Sequence, residues 1–200
     1  MTSTNKILIQ ALLTFSKDYS QYHIEQFGHL PIVEHDEEWL SPCELGSHDT
    51  NHNYWQGVEI KNEQLSDTKE EALTFANVES ALNIKLHPDI KIYFTTIFSG
   101  DIEAKCDEGD LSLLFAWNKE DFERLQENII GHILMKQRLK QDETIFFAVT
   151  DEEDMIISVD NNNGEVWVER VGCKPHKKIS DSLVEFIRQL TPNSVISEKQ

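Results

Sequence analysis

Near the N-terminus, apolar residues recur at steps of three and four, the spacing of one face of a helix. These positions are Leu8, Ala11, Leu12, Phe15, Tyr19 and Tyr22. Ser3 or Thr4 is a suitable N-cap, because a hydroxyl oxygen accepts hydrogen bonds from the free amides of a first helical turn. Gly28 and Pro31 then end the pattern. We therefore predict a long first helix with one face in the core.

The same helical spacing follows Asn118, another suitable N-cap. Glu120 and Asp121 fall in the first turn of this helix and basic residues fall in its last turn, a distribution that complements the helix dipole. Gly131 in its middle indicates close packing against a neighbouring element. Shorter helices are predicted at 75–82 and 183–190.

Alternation of apolar and polar residues, typical of strands, dominates the rest of the chain. It predicts strands at 54–60, 90–95, 102–106, 111–117, 144–149, 155–160 and 165–171. Asn163-Gly164 favours a hairpin turn between the last two strands. Together these elements predict one α+β domain, mainly an antiparallel sheet packed with helices, over residues 1–192, with a frayed tail at 193–200.

The charge of the chain narrows the class of partner. Eighteen Lys and Arg residues stand against 36 Asp and Glu residues, which gives a formal net charge of −18 at pH 7. Such a chain repels nucleic-acid phosphates and the anionic lipid surface. We therefore expect no nucleic acid partner and no direct binding to lipid, and a basic macromolecule is the favoured partner.

The predicted hairpin over 101–117 gathers part of this charge on one face. If its apolar positions face the core, Cys106 pairs with Leu111 and Glu108-Gly109 forms the turn. The opposite face then carries Asp101, Glu103, Lys105, Asp107 and Asp110. Carboxylates held this close together repel one another, and Lys or Arg side chains of a partner relieve that repulsion.

The second hairpin has a similar polar face. Its members are Asp160, Glu165, Trp167 and Glu169. We expect Trp167 to be exposed among these carboxylates, where an indole ring stacks on arginine or covers the aliphatic stem of lysine. Both hairpins therefore favour a surface that binds basic side chains.

The cysteines and the N-terminus indicate the compartment. Three widely spaced cysteines without a CxxC pair are not the pattern of a secreted disulfide framework, so we expect a reducing cytoplasm. The first ten residues lack the basic head and apolar run of a signal peptide. No stretch approaches 18 consecutive apolar residues, so we expect no segment that spans a bilayer.

Catalytic and metal-binding patterns are weak in this sequence. The glycine-rich phosphate loops, the GxSxG nucleophile motif and the HExxH zinc motif are absent. A metal hypothesis draws on Cys43, His29, His35, His48 and His52, but their spacing fits no common zinc module. His132 is expected to be a partly buried structural histidine. A carboxylate pair for general acid–base chemistry is nearly guaranteed in so acidic a chain and is weakly informative.

Several short segments together resemble one bacterial family. They are Glu-Trp-Leu-Ser-Pro-Cys at 38–43, Tyr-Trp-Gln at 54–56, Ile-Tyr-Phe-Thr-Thr-Ile-Phe-Ser-Gly-Asp at 92–101, Gln-Glu-Asn-Ile-Ile-Gly-His at 126–132 and Lys-Gln-Arg-Leu-Lys at 136–140. The residues at 157–159 and 164–166 fit as well. Over residues 6–190 the chain resembles the Syd family of SecY-interacting proteins, which is grouped with the SUKH superfamily.

The resemblance implies a cytoplasmic protein that associates loosely with the inner membrane by binding SecY, the channel subunit of the protein-export translocase. It implies an acidic groove for basic cytoplasmic loops of SecY, and a role in sequestering excess or wrongly assembled SecY or in restraining the translocase. No catalytic residues are implied, so we expect no enzymatic activity, no cofactor and no metal. We also expect a monomer.

Six residues are the candidates for contact with the partner. Asp101 and Glu127 match motif positions of the family, and Glu79 lies in the matching short helix. The others come from the polar faces of the two hairpins. The full set is Glu79, Asp101, Glu103, Asp110, Glu127 and Trp167. Two alternatives remain open, an acidic immunity domain that neutralises a basic toxin and, less favoured, a carboxylate-dependent hydrolase.

Overall fold

The computed structural model describes residues 3–61 and 72–194, and this part of the chain holds five helices and twelve strands. The helices are α1 (Ser3–Phe27), α2 (Ala76–Leu82), α3 (Pro88–Thr96), α4 (Lys119–Arg138) and α5 (Leu183–Gln189). The strands are β1 (Ile32–Glu34), β2 (Glu44–Ser47), β3 (His52–Trp55), β4 (Val58–Glu59), β5 (Ile97–Phe98), β6 (Ile102–Cys106), β7 (Gly109–Leu113), β8 (Thr144–Thr150), β9 (Met155–Asp160), β10 (Val166–Arg170), β11 (Lys177–Ser180) and β12 (Thr191–Pro192). Most of the predicted tail, residues 195–200, lies outside the described residues.

Seven strands form one antiparallel sheet in the order β11-β10-β9-β8-β7-β6-β12. The sheet curls, and this brings Lys177 in β11 into an ion pair with Glu108 in the turn between β6 and β7. Three strands lie between β11 and β7 in the sheet. Two small antiparallel sheets, β1-β3-β2 and β4-β5, complete the architecture. The predicted α+β fold with a mainly antiparallel sheet is confirmed.

The core lies between the sheet and the helices that pack on it. The predicted apolar face of α1 is confirmed at Leu8, Leu12, Phe15 and Tyr19, all of which are buried. This helix contacts α3, α5 and β6. Tyr93 stacks on Phe115 at a ring-centroid distance of 4.8 Å and meets Phe147 edge-on at 5.3 Å, so aromatic rings fill the centre.

The strand predicted at 90–95 is wrong, because these residues belong to α3. Pro88 occupies the first turn, where its missing amide costs nothing, and the side chain of His87 accepts a hydrogen bond from the Asp89 amide. Ile90, Tyr93 and Phe94 are fully buried. Their spacing of three and four residues buries one helical face, and this outweighs the six-residue alternation that also suits a strand.

The predicted register of the β6–β7 hairpin is also wrong. Ala104, not Cys106, pairs with Leu111, and the turn is at 107–108, one residue earlier than expected. Gly109 follows the turn with a φ of +139°, a conformation that glycine adopts without strain. Because pairing has slipped by two residues, the strand residues stay on their predicted faces, whereas Asp107, predicted on the polar face, lies in the turn.

The helix α4 begins as predicted, since the Asn118 side chain accepts a hydrogen bond from the Asp121 amide at 2.9 Å. The close packing predicted at Gly131 is wrong. This residue is exposed, and a methyl group there would meet no atom within 4 Å. Its position on the solvent face of α4 explains the difference.

Candidate functional site

An open cleft of about 490 Å³ lies where α1, β1 and the loop after it, the start of β6 and the first turn of α4 converge. We call it the acidic cleft, because five carboxylates line it: Glu34, Asp36, Asp101, Glu103 and Asp121. Among the described residues that line it, none is lysine or arginine. A concave surface lined by one sign of charge focuses the electric field and concentrates ions of the opposite sign.

Aromatic side chains form the apolar part of the acidic cleft. Trp39, Trp55 and Trp117 line it together with Tyr19 and Phe115. Trp55 is buried and meets Trp117 edge-to-face at 5.9 Å and Tyr19 at 6.0 Å. Carboxylates beside indole faces suit a cation with an apolar or planar body, as in the side chains of lysine and arginine.

The position of Asp101 depends on the glycine before it. A side chain at Gly100 would approach Trp55 Cζ2 to 3.0 Å, so the absence of one allows the indole to pack directly against the backbone. This close approach places Asp101 at the edge of the aromatic wall. Ser112 and Glu103 are directly opposite in the β6–β7 ladder, which aligns Glu103 along the same side of the acidic cleft.

Burial, together with the negative charge of Glu103, raises the pKa of Asp101 from 3.8 to about 6. Asp101 keeps solvent-accessible surface because the acidic cleft is open, while the surrounding walls still remove water from its carboxyl group. The pKa of Glu103 is raised by burial and by Asp110, against a hydrogen bond with Ser112 that lowers it. A bound cation would relieve both carboxylates.

Asn118 and Asp121, at the start of α4, hold in place the wall of the acidic cleft that contains Trp39 and Trp117. Asp121 Oδ2 accepts a hydrogen bond from the Trp117 amide at 2.9 Å, and the Asn118 side chain donates to the Leu40 carbonyl at 2.9 Å. Ser41 Oγ donates to the Trp117 carbonyl at 2.5 Å. These bonds tie the segment after β1 to the start of α4, so both carry residues into one fixed wall of the acidic cleft.

Polar groups without partners also line the acidic cleft. Ser99 is 1% exposed, and its hydroxyl has no hydrogen-bond partner among the described residues. The same holds for both ring nitrogens of His23, whose ring lies 4.7 Å from Tyr19 and 5.2 Å from Phe27. Burial lowers the pKa of His23, and His29 adds to this effect. Buried polar atoms without partners are uncommon in folded proteins, so these groups have unused hydrogen-bonding capacity.

The structure brings two of the six candidate residues, Asp101 and Glu103, into the acidic cleft. Asp110 is the neighbour of Lys105 in the ladder and is near Glu103, but it does not line the acidic cleft. Glu127 is exposed on α4, also outside it.

Glu79 is placed in a different cluster. Its carboxylate pairs with Lys91 at 2.8 Å and Lys85 at 3.4 Å and accepts a hydrogen bond from the Leu86 amide at 3.0 Å. Burial raises the pKa of Glu79, but the bonds from Lys91 and Leu86 outweigh that effect, so the pKa is lowered. These contacts already satisfy the charge of Glu79 within the protein.

The expected exposure of Trp167 among carboxylates is wrong. Helix α4 covers this face of the second hairpin, so Glu169 is 1% exposed and forms an ion pair with Lys136. Trp167 is half-buried and lines a separate pocket of about 210 Å³ with Asp142 and Lys174. Of the polar face predicted from alternation, Glu169 is therefore buried, whereas Asp160 and Glu165 remain partly exposed.

The histidine-rich segment is satisfied by other contacts. His35 pairs with Glu44 at 2.7 Å, His52 with Asp49 at 2.8 Å, and His48 bonds to the Tyr54 hydroxyl. In the part of the chain that the structure describes, no three His, Cys, Asp or Glu side chains are grouped to hold a metal ion. None of the described helices is both long and apolar enough to cross a membrane.

Comparison with known proteins identifies the family of this chain. The family model described as Syd protein (SUKH-2) matches residues 9–192. This chain belongs to the Syd family. A relative in Colwellia psychrerythraea, named Protein Syd, is 79% identical over 199 residues and covers 100% of both chains.

Two further relatives in the Syd family are more distant. Protein Syd of Alteromonas mediterranea is 48% identical over 157 residues, covering 78% of this chain and 82% of its own. Protein Syd of Pseudoalteromonas atlantica is 39% identical over 194 residues, covering 97% of this chain and 99% of its own. The resemblance found in the short motifs is thus confirmed at the level of the family.

Proposed function

We propose that this protein binds SecY by receiving basic cytoplasmic loops of the channel subunit in the acidic cleft. One observation carries the proposal: five carboxylates and three tryptophans share a concave surface whose described lining residues include no lysine or arginine. Cytoplasmic loops of membrane proteins are enriched in lysine and arginine, which gives such a surface its matching partner. Membership of the Syd family supports SecY as that partner.

The net charge of −18 supports an indirect association with the membrane. The anionic inner surface of a bilayer repels this protein, whereas a basic loop attracts it. Association at the cytoplasmic side of the inner membrane then depends on the protein partner and weakens with salt. We propose a cytoplasmic protein, monomeric and loosely attached through SecY, with the binding domain at residues 1–192.

Occupation of SecY loops supplies the regulatory role. A protein seated on those loops competes with other cytosolic partners of the channel, so it either sequesters excess and wrongly assembled SecY or restrains the translocase. Neither role requires a chemical step. The open shape of the acidic cleft favours a bound segment of a macromolecule over a catalytic pocket that excludes water.

Charge reversal within the acidic cleft tests the proposal. The double variant Asp101→Lys/Glu103→Lys is compared with Asp151→Lys/Glu153→Lys, which makes the same charge change at exposed positions in the turn between β8 and β9. Each tagged protein is incubated with detergent-solubilised inner membranes at low and high salt, and retained SecY is measured by immunoblot. We expect the first variant to lose SecY and the control to retain it.

Two results would contradict the proposal. Equal capture of SecY by both double variants at low salt excludes the acidic cleft as the binding surface. Failure of the wild-type protein to capture SecY excludes the partner. Protection of cells against a basic toxin would then favour an immunity function for the same surface.

A further inference from the structure

The chain places one of its own arginines against the rim of the acidic cleft. Arg124, on α4, lies with its guanidinium carbon 4.1 Å from the ring centroid of Trp39. Trp39 lines the acidic cleft and is half-buried, whereas Arg124 is exposed. Within residues 3–61 and 72–194, no carboxylate forms an ion pair with Arg124, and its guanidinium stacks on the indole instead.

We propose that the face of Trp39 is an arginine subsite of the acidic cleft, occupied in the free protein by Arg124 and in the complex by an arginine of the partner. This inference rests on the proposed function, because it specifies which basic side chain the acidic cleft recognises. The occupant is an arginine in a basic protein segment, in preference to a lysine.

The fold holds Trp39 in a defined position for this role. The Trp39 amide donates to the Asp36 carbonyl at 3.0 Å, and the Asp36 side chain accepts from the Glu38 amide at 2.8 Å, so a tight turn precedes the ring. The bonds from Asn118 and Ser41 anchor the residues that follow it. The indole is therefore a fixed platform with carboxylates of the acidic cleft beside it.

The chemistry of this platform separates arginine from lysine. A guanidinium is planar and weakly hydrated, so it stacks flat on an indole while its outer N–H groups donate to carboxylates. A lysine ammonium is a compact, strongly hydrated charge that cannot do both in one plane. Asp36 and Asp121 line the same cavity as Trp39 and provide acceptors. Ser99 lines the same cavity, and its buried hydroxyl has no hydrogen-bond partner among the described residues, so its hydrogen-bonding capacity is unused.

Arg124 is a suitable provisional occupant because it is exposed and weakly held. A cation–π contact at an exposed site is a weak interaction, and no ion pair among the described residues reinforces it. Arg124 forms no ion pair because α4 fixes the direction from which it reaches the ring, whereas an arginine of the partner enters through the acidic cleft and can contact both the indole and a carboxylate. Exchange of one for the other is then favourable without a change in the fold.

Two labelled peptides of equal length and spacing, one with four arginines and one with four lysines between Gly and Ser residues, test the inference by fluorescence anisotropy. We expect wild-type protein to bind the arginine peptide at least threefold more tightly. Trp39→Leu should weaken binding of the arginine peptide more than binding of the lysine peptide, so that the preference is lost. Trp39→Phe, which keeps an aromatic face, should retain part of the preference.

Removing the internal occupant gives the second measurement. Arg124→Gln should raise the affinity for the arginine peptide at least twofold more than Arg138→Gln does. The control makes the same charge change on the same helix, about 21 Å farther along it. Thermal unfolding of each variant confirms that the comparison is between folded proteins.

Each outcome decides a separate question. Equal binding of the two peptides, or an equal loss of both in Trp39→Leu, overturns the arginine subsite and leaves the cation-binding cleft in place. Equal gains in Arg124→Gln and Arg138→Gln overturn Arg124 as the occupant. If wild-type protein binds neither peptide at low salt, the proposed function fails, and the subsite fails with it.

Discussion

Lys136 and Glu169 form an ion pair in the interior of the protein, with both side chains no more than 1% exposed. Lys136 also donates to the Cys173 carbonyl at 3.0 Å and to Gln141 Oε1 at 3.3 Å, so each of its three ammonium hydrogens has an acceptor. Thr144 donates to the other oxygen of Glu169 at 2.6 Å. The pair joins the last turns of α4 to β10.

Breaking this pair from one side should destabilise the fold strongly. Glu169→Gln or Lys136→Met leaves a buried charge without its partner, which costs about 3–5 kcal/mol. The double variant Lys136→Met/Glu169→Leu should cost less than either single change, because no charge remains buried. Urea unfolding measures the three differences. A loss below about 1 kcal/mol in both single variants would contradict the argument.

Only part of this interior could be predicted from the sequence. The spacing of Ile129, Ile133 and Lys136 places all three on one face of α4, but a lysine in the last turn is equally well explained by the helix dipole. Alternation predicts that Glu169 lies on the polar face of the hairpin, but it does not show that a helix covers this residue. Burial of a charged residue depends on a partner 33 positions away, which no local pattern reveals.

The candidate site, too, could be predicted only in part from the sequence. Strand alternation predicted Asp101 and Glu103 on one face. The predicted register was wrong by two residues, and a slip of two residues leaves every strand residue on the same face. Asp121 falls in the first turn of a predicted helix, and Glu34 and Asp36 belong to an acidic stretch of the sequence at 34–38. Their membership of one cavity follows from long-range packing of β1, β6 and α4, so it became apparent only in the structure.

The pKa of Asp101 predicts the pH dependence of partner binding. Since this pKa is about 6, the carboxyl group is ionised at pH 7.5 and mostly protonated at pH 5.5, so affinity for a cationic peptide should fall about twofold to fourfold over this range. The neighbouring Glu103, whose pKa is also raised, and His23, which gains charge when protonated, act in the same direction. The other three carboxylates of the acidic cleft, Glu34, Asp36 and Asp121, provide binding that does not depend on Asp101.

Titration of the arginine peptide at several pH values measures this effect. Asp101→Asn should bind more weakly at pH 7.5 and show a flatter profile than wild type. A profile in the variant as steep as in the wild type would assign the pH dependence to other groups.

The same shift predicts that Asp101 lowers stability at neutral and alkaline pH. A carboxyl group with a pKa raised from 3.8 to about 6 binds its proton more readily in the folded state, so stability decreases as the pH rises from about 4 to 6 and stays reduced above it. Asp101→Asn should therefore raise the melting temperature at pH 8 by about 2–4 °C, an upper limit because solvent screens this open site. The gain should shrink at pH 5, and Asp151→Asn, at an exposed turn, should show none.

Gly100 and Gly131 should respond in opposite ways to the same substitution. The methyl group of Gly100→Ala would lie 3.0 Å from Trp55 Cζ2, and Trp55 is buried against Tyr19 and Trp117, so the ring has little room to yield. We expect a loss of about 1–3 kcal/mol.

Gly131→Ala provides the matched control, because it adds a methyl group in open space on an exposed helical face and should stabilise the protein by about 1 kcal/mol. Binding separates the two further, since only Gly100→Ala displaces a wall of the acidic cleft and should weaken peptide binding without any change in charge. Urea unfolding and anisotropy titration give both quantities for each variant. Unchanged stability and affinity in Gly100→Ala would show that Trp55 can shift freely. This result would contradict the claim that Trp55 forms a rigid wall of the acidic cleft.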